Sequence, residues 1–132
     1  METVKNKLGE IEYSDDNIIT FEEKIPGFEN LKKFVFVKLE REEEIFQMLY
    51  FLISIDEPNI FFPILPIKLI EENYPDYNGY EPFGIVKMSS QISKITINLK
   101  SPVYINFEKN TAIQKILDNT DYPIEYQLFV EE

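Results

Sequence analysis

Residues 94–107 read KITINLKSPVYINF. Ile95, Ile97 and Leu99 alternate with Thr96 and Asn98; Val103, Ile105 and Phe107 alternate with Tyr104 and Asn106. An apolar residue at every second position marks a half-buried strand, because successive side chains of an extended chain point to opposite sides. A helix through Pro102 would lose a backbone hydrogen bond and clash with its preceding turn. The apolar parity runs unbroken from Ile95 to Phe107. It predicts one long bent strand, or two strands meeting at a kink, with the same face inward throughout and Pro102 at an edge or bulge.

Working outward, IEYQLFV (124–130) repeats the alternation, with Ile124, Tyr126, Leu128 and Val130 on one side. GEIEY (9–13) and NIITF (17–21) read as short strands joined by the turn cluster Ser14-Asp15-Asp16. KFVFV (33–37) and IFQMLYFLISI (45–55) are apolar on both sides and read as central strands, with helix open for the second. TAIQKIL (111–117) is ambiguous, since Ala112, Ile113, Ile116 and Leu117 have helical spacing behind a capping Asn110 or Thr111. The stretch 63–82 carries Pro63, Pro66, Pro75 and Pro82 and reads as an irregular loop, with a short helix near Ile67–Glu72. The expected class is all-β. About eight short strands and one or two short helices would make a small closed or strongly curved barrel-like domain. One domain over residues 1–132 suits the length.

Composition removes whole classes of chemistry. There is no Cys and no His, so thiolate catalysis, disulfides, Ser-His-Asp arrangements and the usual zinc ligands are excluded. The four glycines have neither dinucleotide nor phosphate-loop spacing. The pairs Asp15-Asp16, Glu22-Glu23, Asp56-Glu57 and Glu71-Glu72 are adjacent in sequence. Neighbours on a strand face opposite ways, so these pairs do not converge on one substrate. Asp15-Asp16-Asn17 lacks the Gly and distal Glu of a calcium loop and reads as a polar turn. Neither an enzyme nor a cofactor is expected.

The net charge is −11. Such a chain repels nucleic-acid phosphate and anionic lipid, so direct nucleic-acid or membrane binding is not expected. It suits a soluble protein, and it also suits one that steers a basic partner. The N-terminus has no apolar signal region, and the longest apolar stretch, Ile45–Ile55, is too short to span a bilayer. A cytoplasmic location is therefore expected.

Pro26-Gly27 fits the two central positions of a type II turn, where the second residue needs φ > 0. It is read as an elbow between strands, with Phe28 and Glu29 beside it as a handle for a partner. The other candidate partner-binding residues are Glu42 and Glu43 in the charge run KLEREEE (38–44), Asp56 and Glu57, and Tyr77 and Tyr80 around Asn78-Gly79. A rival reading places Tyr74, Tyr77 and Tyr80 on a sugar, with nearby carboxylates, in a carbohydrate-binding or hydrolytic β-domain.

Five segments in order resemble one family. IITFEEKIPGFENLKKFVF (18–36), SIDEPNIFF (54–62) followed by ILP (64–66), INLKSPVYIN (97–106), AIQKIL (112–117) and DYPIEYQL (121–128) are similar to the conserved stretches of the FliW flagellar assembly factors. The resemblance implies a small acidic β protein of the cytoplasm that binds flagellin. It also implies binding of CsrA, an RNA-binding translational repressor, so that flagellin and CsrA compete for one factor. The chain departs from the family pattern at Lys24, Ile53, Leu65, Ser101 and Ala112. Lys24 and Ala112 replace glycines and predict altered turn geometry there. Loss of polar residues at 53 and 65 puts a partner contact in question.

Overall fold

The computed structural model describes residues 2–129. Its strands are β1 (Glu2–Asn6), β2 (Gly9–Tyr13), β3 (Ile18–Phe21), β4 (Lys33–Val37), β5 (Tyr50–Ser54), β6 (Phe61–Pro66), β7 (Glu81–Lys87), β8 (Thr96–Ile97), β9 (Val103–Asn106), β10 (Thr111–Gln114) and β11 (Tyr126–Gln127). One short α-helix, α1 (Glu44–Met48), and three single 3-10 turns complete the described residues. The strand count exceeds the expected eight because several pairings are only two residues long.

Seven strands close a barrel in the order β7-β6-β5-β4-β3-β10-β9, and β9 pairs back onto β7. All pairings are antiparallel except β10 with β3. Closure removes the open edges that an all-β sheet otherwise exposes. β8 and β11 continue the sheet sideways from the far end of β7.

The barrel buries both faces. Ile19, Phe21, Phe34, Leu52, Ile64, Phe83, Val103, Ile105 and Ala112 form one apolar cluster. Phe36 on β4 packs edge-on against Phe83 on β7, centroids 5.9 Å apart, although two strands separate β4 from β7 along the sheet. Contact at that range crosses the lumen. The second cluster, with Val35, Phe51, Ile53, Leu65, Val86 and Ile97, lies on the outer face. The β1–β2 hairpin covers it with Val4 and Tyr13, the 67–80 segment with Ile67 and Tyr74, and the C-terminal segment with Tyr122 and Leu128. Burial on two faces explains why Phe34–Val37 and Tyr50–Ile53 are apolar on both sides of the strand: each buried Val, Leu, Ile or Phe contributes about 1.5–3 kcal/mol.

Four expectations need correction. First, the inward face changes across Pro102. Ile95, Ile97 and Leu99 lie in the outer cluster, whereas Val103 and Ile105 fill the lumen. Val86 faces Ile97 and Phe83 faces Val103, so three steps along β7 match six along the partner. Three extra residues are looped out, an odd number, and the parity flips. Asn98 builds the bulge: its Oδ1 accepts from the backbone N–H of Lys100 (3.0 Å) and of Ser101 (2.9 Å). The two-strand alternative therefore holds, and Tyr104, placed outward by parity, is buried. Phe107, placed inward, is 42% exposed beyond the end of β9.

Second, residues 45–55 split into α1 and β5. The acidic run ahead of α1 suits the positive end of a helix, with Glu44 in its first turn. Third, TAIQKIL is strand at Thr111–Gln114, because pairing to β9 and β3 overrides local spacing. Residues 63–66 are likewise strand, and each of Pro63 and Pro66 lies where only one neighbour is paired. Fourth, IEYQLFV forms only the edge strand β11, with Ile124 61% and Tyr126 41% exposed; Val130 lies outside the described residues.

Candidate partner-binding surface

The Pro-Gly corner is a type II turn. Gly27 has φ +85°, and Phe28 N–H donates to Ile25 O at 2.9 Å. Ile25 is buried, and Phe28 is half-buried with its ring edge-on to Phe62 at 5.3 Å. Leu31 N–H then donates to Phe28 O at 3.0 Å. The corner is thus an elbow whose two flanking side chains anchor it to the lumen cluster. Glu29 is exposed, and its Oε1 accepts from Gly27 N–H at 3.3 Å.

The other candidates fall on separate parts of the surface. Glu42 and Glu43 are exposed on the β4–α1 connection, beside an open depression lined by Lys38, Leu39, Glu40, Arg41, Glu42 and Gln47. Glu10, Glu12 and Glu40 line the neighbouring depression together with Lys38. Arg41 is held there by donating to Leu8 O of the hairpin turn. Asp56 and Glu57 are exposed at the β5–β6 turn, where Glu57 N–H donates to the buried Ser54 Oγ at 3.0 Å. Among the described residues only Lys68–Asp76 and Lys87–Glu125 form ion pairs. The other described carboxylates have no ion-pair partner among the described residues.

The tyrosines do not make a three-ring platform. Tyr74 is buried and its OH donates to Leu99 O. Burial pushes its pKa well above the usual tyrosine value, and burial raises that of Tyr104 too. Tyr77 and Tyr80 do meet, centroids 4.7 Å apart, across a turn with Gly79 at φ +82°. Lys115 Nζ sits 4.3 Å from the Tyr77 ring centroid, a cation–π contact. Tyr80 OH donates to the Glu22 carboxylate, which raises the tyrosine's pKa.

One cluster was missed in the sequence. Phe36, Tyr50, Phe83 and Phe107 converge at one mouth of the barrel: Phe36 stacks on Tyr50 at 5.0 Å and meets Phe107 at 5.1 Å. Lys38 Nζ lies 4.8 Å from the Tyr50 ring. The usable signal was Asn106 and Asn110 bracketing Phe107, a turn signature that ends the strand before the phenylalanine.

No group of three or more Asp or Glu side chains among the described residues could hold a metal. No helix among them is long and apolar enough to cross a membrane. What remains is an assortment of exposed carboxylates and half-exposed aromatics on a closed barrel.

The comparisons with known proteins decide the family. The model of the FliW protein family matches residues 2–78 and 76–128. This chain belongs to the FliW family. A flagellar assembly factor FliW of Caldicellulosiruptor bescii is 39% identical, covering 96% of this chain and 90% of its own. Those of Caldanaerobacter subterraneus subsp. tengcongensis and Clostridium kluyveri are 34% and 38% identical over 99% and 94% of this chain. The crystal structure of a flagellar assembly factor FliW superposes with TM-score 0.85 at 27% identity, covering 99% of both chains. The relatives that it matches are flagellar assembly factors.

Within the FliW pattern, this chain's departures are mostly interior. Ile53, Leu65 and Ala112 are fully buried. Ala112 faces Ile105 in the lumen, where a small side chain fits. Neither Lys24 nor Ala112 has positive φ, so both take backbone conformations open to any residue.

Proposed function

We propose that this FliW-family protein works in the cytoplasm by partner exchange, binding flagellin and the RNA-binding repressor CsrA. When flagellin accumulates it occupies the factor and leaves the repressor free; when flagellin is exported the factor is released and relieves repression of flagellin synthesis. The reading takes residues 1–132 as one domain acting without a cofactor and without touching nucleic acid or membrane.

Family membership supports the flagellar role, and charge supports the exchange. The net charge is −11, and among the described residues only Asp76 and Glu125 have a cationic ion-pair partner. A basic RNA-binding protein approaches such a surface fast, and the attraction fades with salt. The residues assigned to partner contact are Phe28, Glu29, Glu42, Glu43, Asp56, Glu57, Tyr77 and Tyr80.

Isothermal titration against flagellin and CsrA from the same organism tests the reading. Binding to CsrA should weaken severalfold from low to physiological salt, and binding to the more apolar flagellin should change less. Absence of binding to either at roughly tens of micromolar would sink the proposal.

A further inference from the structure

Tyr77-Asn78-Gly79-Tyr80 is the turn that leads into β7, and it holds the one Asn-Gly pair in the sequence. Tyr80 N–H donates to Tyr77 O at 2.8 Å. Gly79 has φ +82°, and Asn78 does not have positive φ. That is a type II turn with Asn78 and Gly79 at its two central positions. Both are exposed, and among the described residues the Gly79 N–H has no backbone acceptor.

Four other asparagines are exposed: Asn30, Asn59, Asn73 and Asn119. Each is followed by a backbone N–H that is already engaged. Leu31 N–H donates to Phe28 O at 3.0 Å, and Ile60 N–H to Glu57 O at 2.8 Å. Tyr74 N–H donates to Glu71 O at 3.1 Å, and Thr120 N–H to Leu117 O at 3.2 Å. Using one of those nitrogens for anything else costs its hydrogen bond. Gly79 has no such bond to break and no Cβ to crowd an approach. Type I and type II turns share their outer hydrogen bond and differ by a flip of the central peptide. Glycine takes either sign of φ, so the Asn78–Gly79 peptide can rotate while the turn stays closed.

We propose that Asn78 is a site of spontaneous modification, which converts it to aspartate and isoaspartate and opens the Tyr77–Tyr80 turn. Base in solvent removes the Gly79 N–H proton, and the nitrogen's electron pair forms a bond to Asn78 Cγ. The bond from Cγ to Nδ2 breaks, and Nδ2 leaves as ammonia with a proton from water. Water then opens the cyclic imide at one of its two carbonyls. Opening at Cγ leaves aspartate in a normal main chain. Opening at the main-chain carbonyl leaves an isoaspartyl link, in which the chain runs through Cβ and Cγ. In sum, a side-chain amide and water become a carboxylate and ammonia, with no change of oxidation state. The isoaspartyl link puts an extra carbon into the turn. Tyr80 N–H then loses its register with Tyr77 O, and the ring pair, now 4.7 Å apart, separates.

The test ages the full chain in warm, mildly alkaline buffer and follows it by peptide mapping with mass spectrometry. Position 78 should gain one dalton and split into aspartyl and isoaspartyl forms about tenfold or more faster than positions 30, 59, 73 and 119. Asn78→Gln, whose longer side chain closes a ring far more slowly, should remove the fast phase and leave the melting temperature unchanged. In the isoaspartyl form the Tyr80 amide should exchange its hydrogen faster than in fresh protein, while the amides of β4 and β5 keep their protection. Conversion at position 78 no faster than at the other four overturns the site, as does a fast phase that survives Asn78→Gln. Unchanged protection of the Tyr80 amide in the isoaspartyl form overturns the opening of the turn.

Discussion

A Cβ placed on Gly84 would lie 2.4 Å from Cγ1 of Ile97 and 2.9 Å from the carbonyl of Asn98. Gly84 sits on β7 opposite the three looped-out residues, where the bulge folds its backbone down onto the sheet. The missing side chain is what lets β8 and β9 both reach β7. Gly84→Ala should therefore cost about 3 kcal/mol by overpacking, read as a lower urea midpoint with little change in slope.

The same bulge depends on Asn98 Oδ1, which satisfies two partly buried N–H groups. Asn98→Ala leaves both without a partner and should cost about 1–3 kcal/mol. Asn98→Asp keeps the acceptor and should restore stability at neutral pH. A carboxylate stabilised by two N–H donors has its folded pKa lowered, so that stability should fade as the pH falls through the carboxylate range. Urea melts across pH on both variants check the pair.

Gly27 differs from Gly84 in the reason it must be glycine. Nothing lies within 4 Å of its virtual Cβ, but φ is +85°. Gly27→Ala should cost about 1–2 kcal/mol from backbone strain alone. Gly27→Asn, which tolerates this region, should recover most of that. Binding should survive in both, because the corner is an elbow. Weakened binding with an unchanged melt would instead make it a handle.

The buried Tyr74 makes the fold sensitive to alkali. Burial raises its pKa above the ordinary 10.0, and the same holds for Tyr104 and Tyr13. Above pH 10 the unfolded chain sheds these protons while the folded chain retains them, so stability falls as pH rises. Tyr74→Phe should lose about 1 kcal/mol at neutral pH with its bond to Leu99 O. It should also show a shallower alkaline decline, read from melting temperatures between pH 8 and about 11.

Much of this was legible before any coordinates. The strands β2, β3 and β4, the turn at Ser14–Asn17 and the type II corner follow from local rules, since alternation and a Pro-Gly pair act within a few residues. The candidate surface was less legible. Glu42, Glu43, Asp56 and Glu57 are exposed as expected; Tyr74, which the rival sugar-binding reading placed at a surface, is a core residue, and Phe107, placed inward, is a surface one. Exposure depends on what covers a face, and the cover here comes from segments distant in sequence.

By itself the sequence determined that the chain is all-β, acidic and without cysteine or histidine, because residue types and period-2 patterning are local properties. It also determined the family, through five short stretches in order. Only the tertiary structure decided which face of each strand is lumen and which is outer wall. Alternation says that neighbours oppose, not which side is covered, and one odd-numbered bulge at residues 98–102 reverses the assignment for β9. Closure through β7 and β9 is a pairing between residues about twenty positions apart, and no local pattern encodes it.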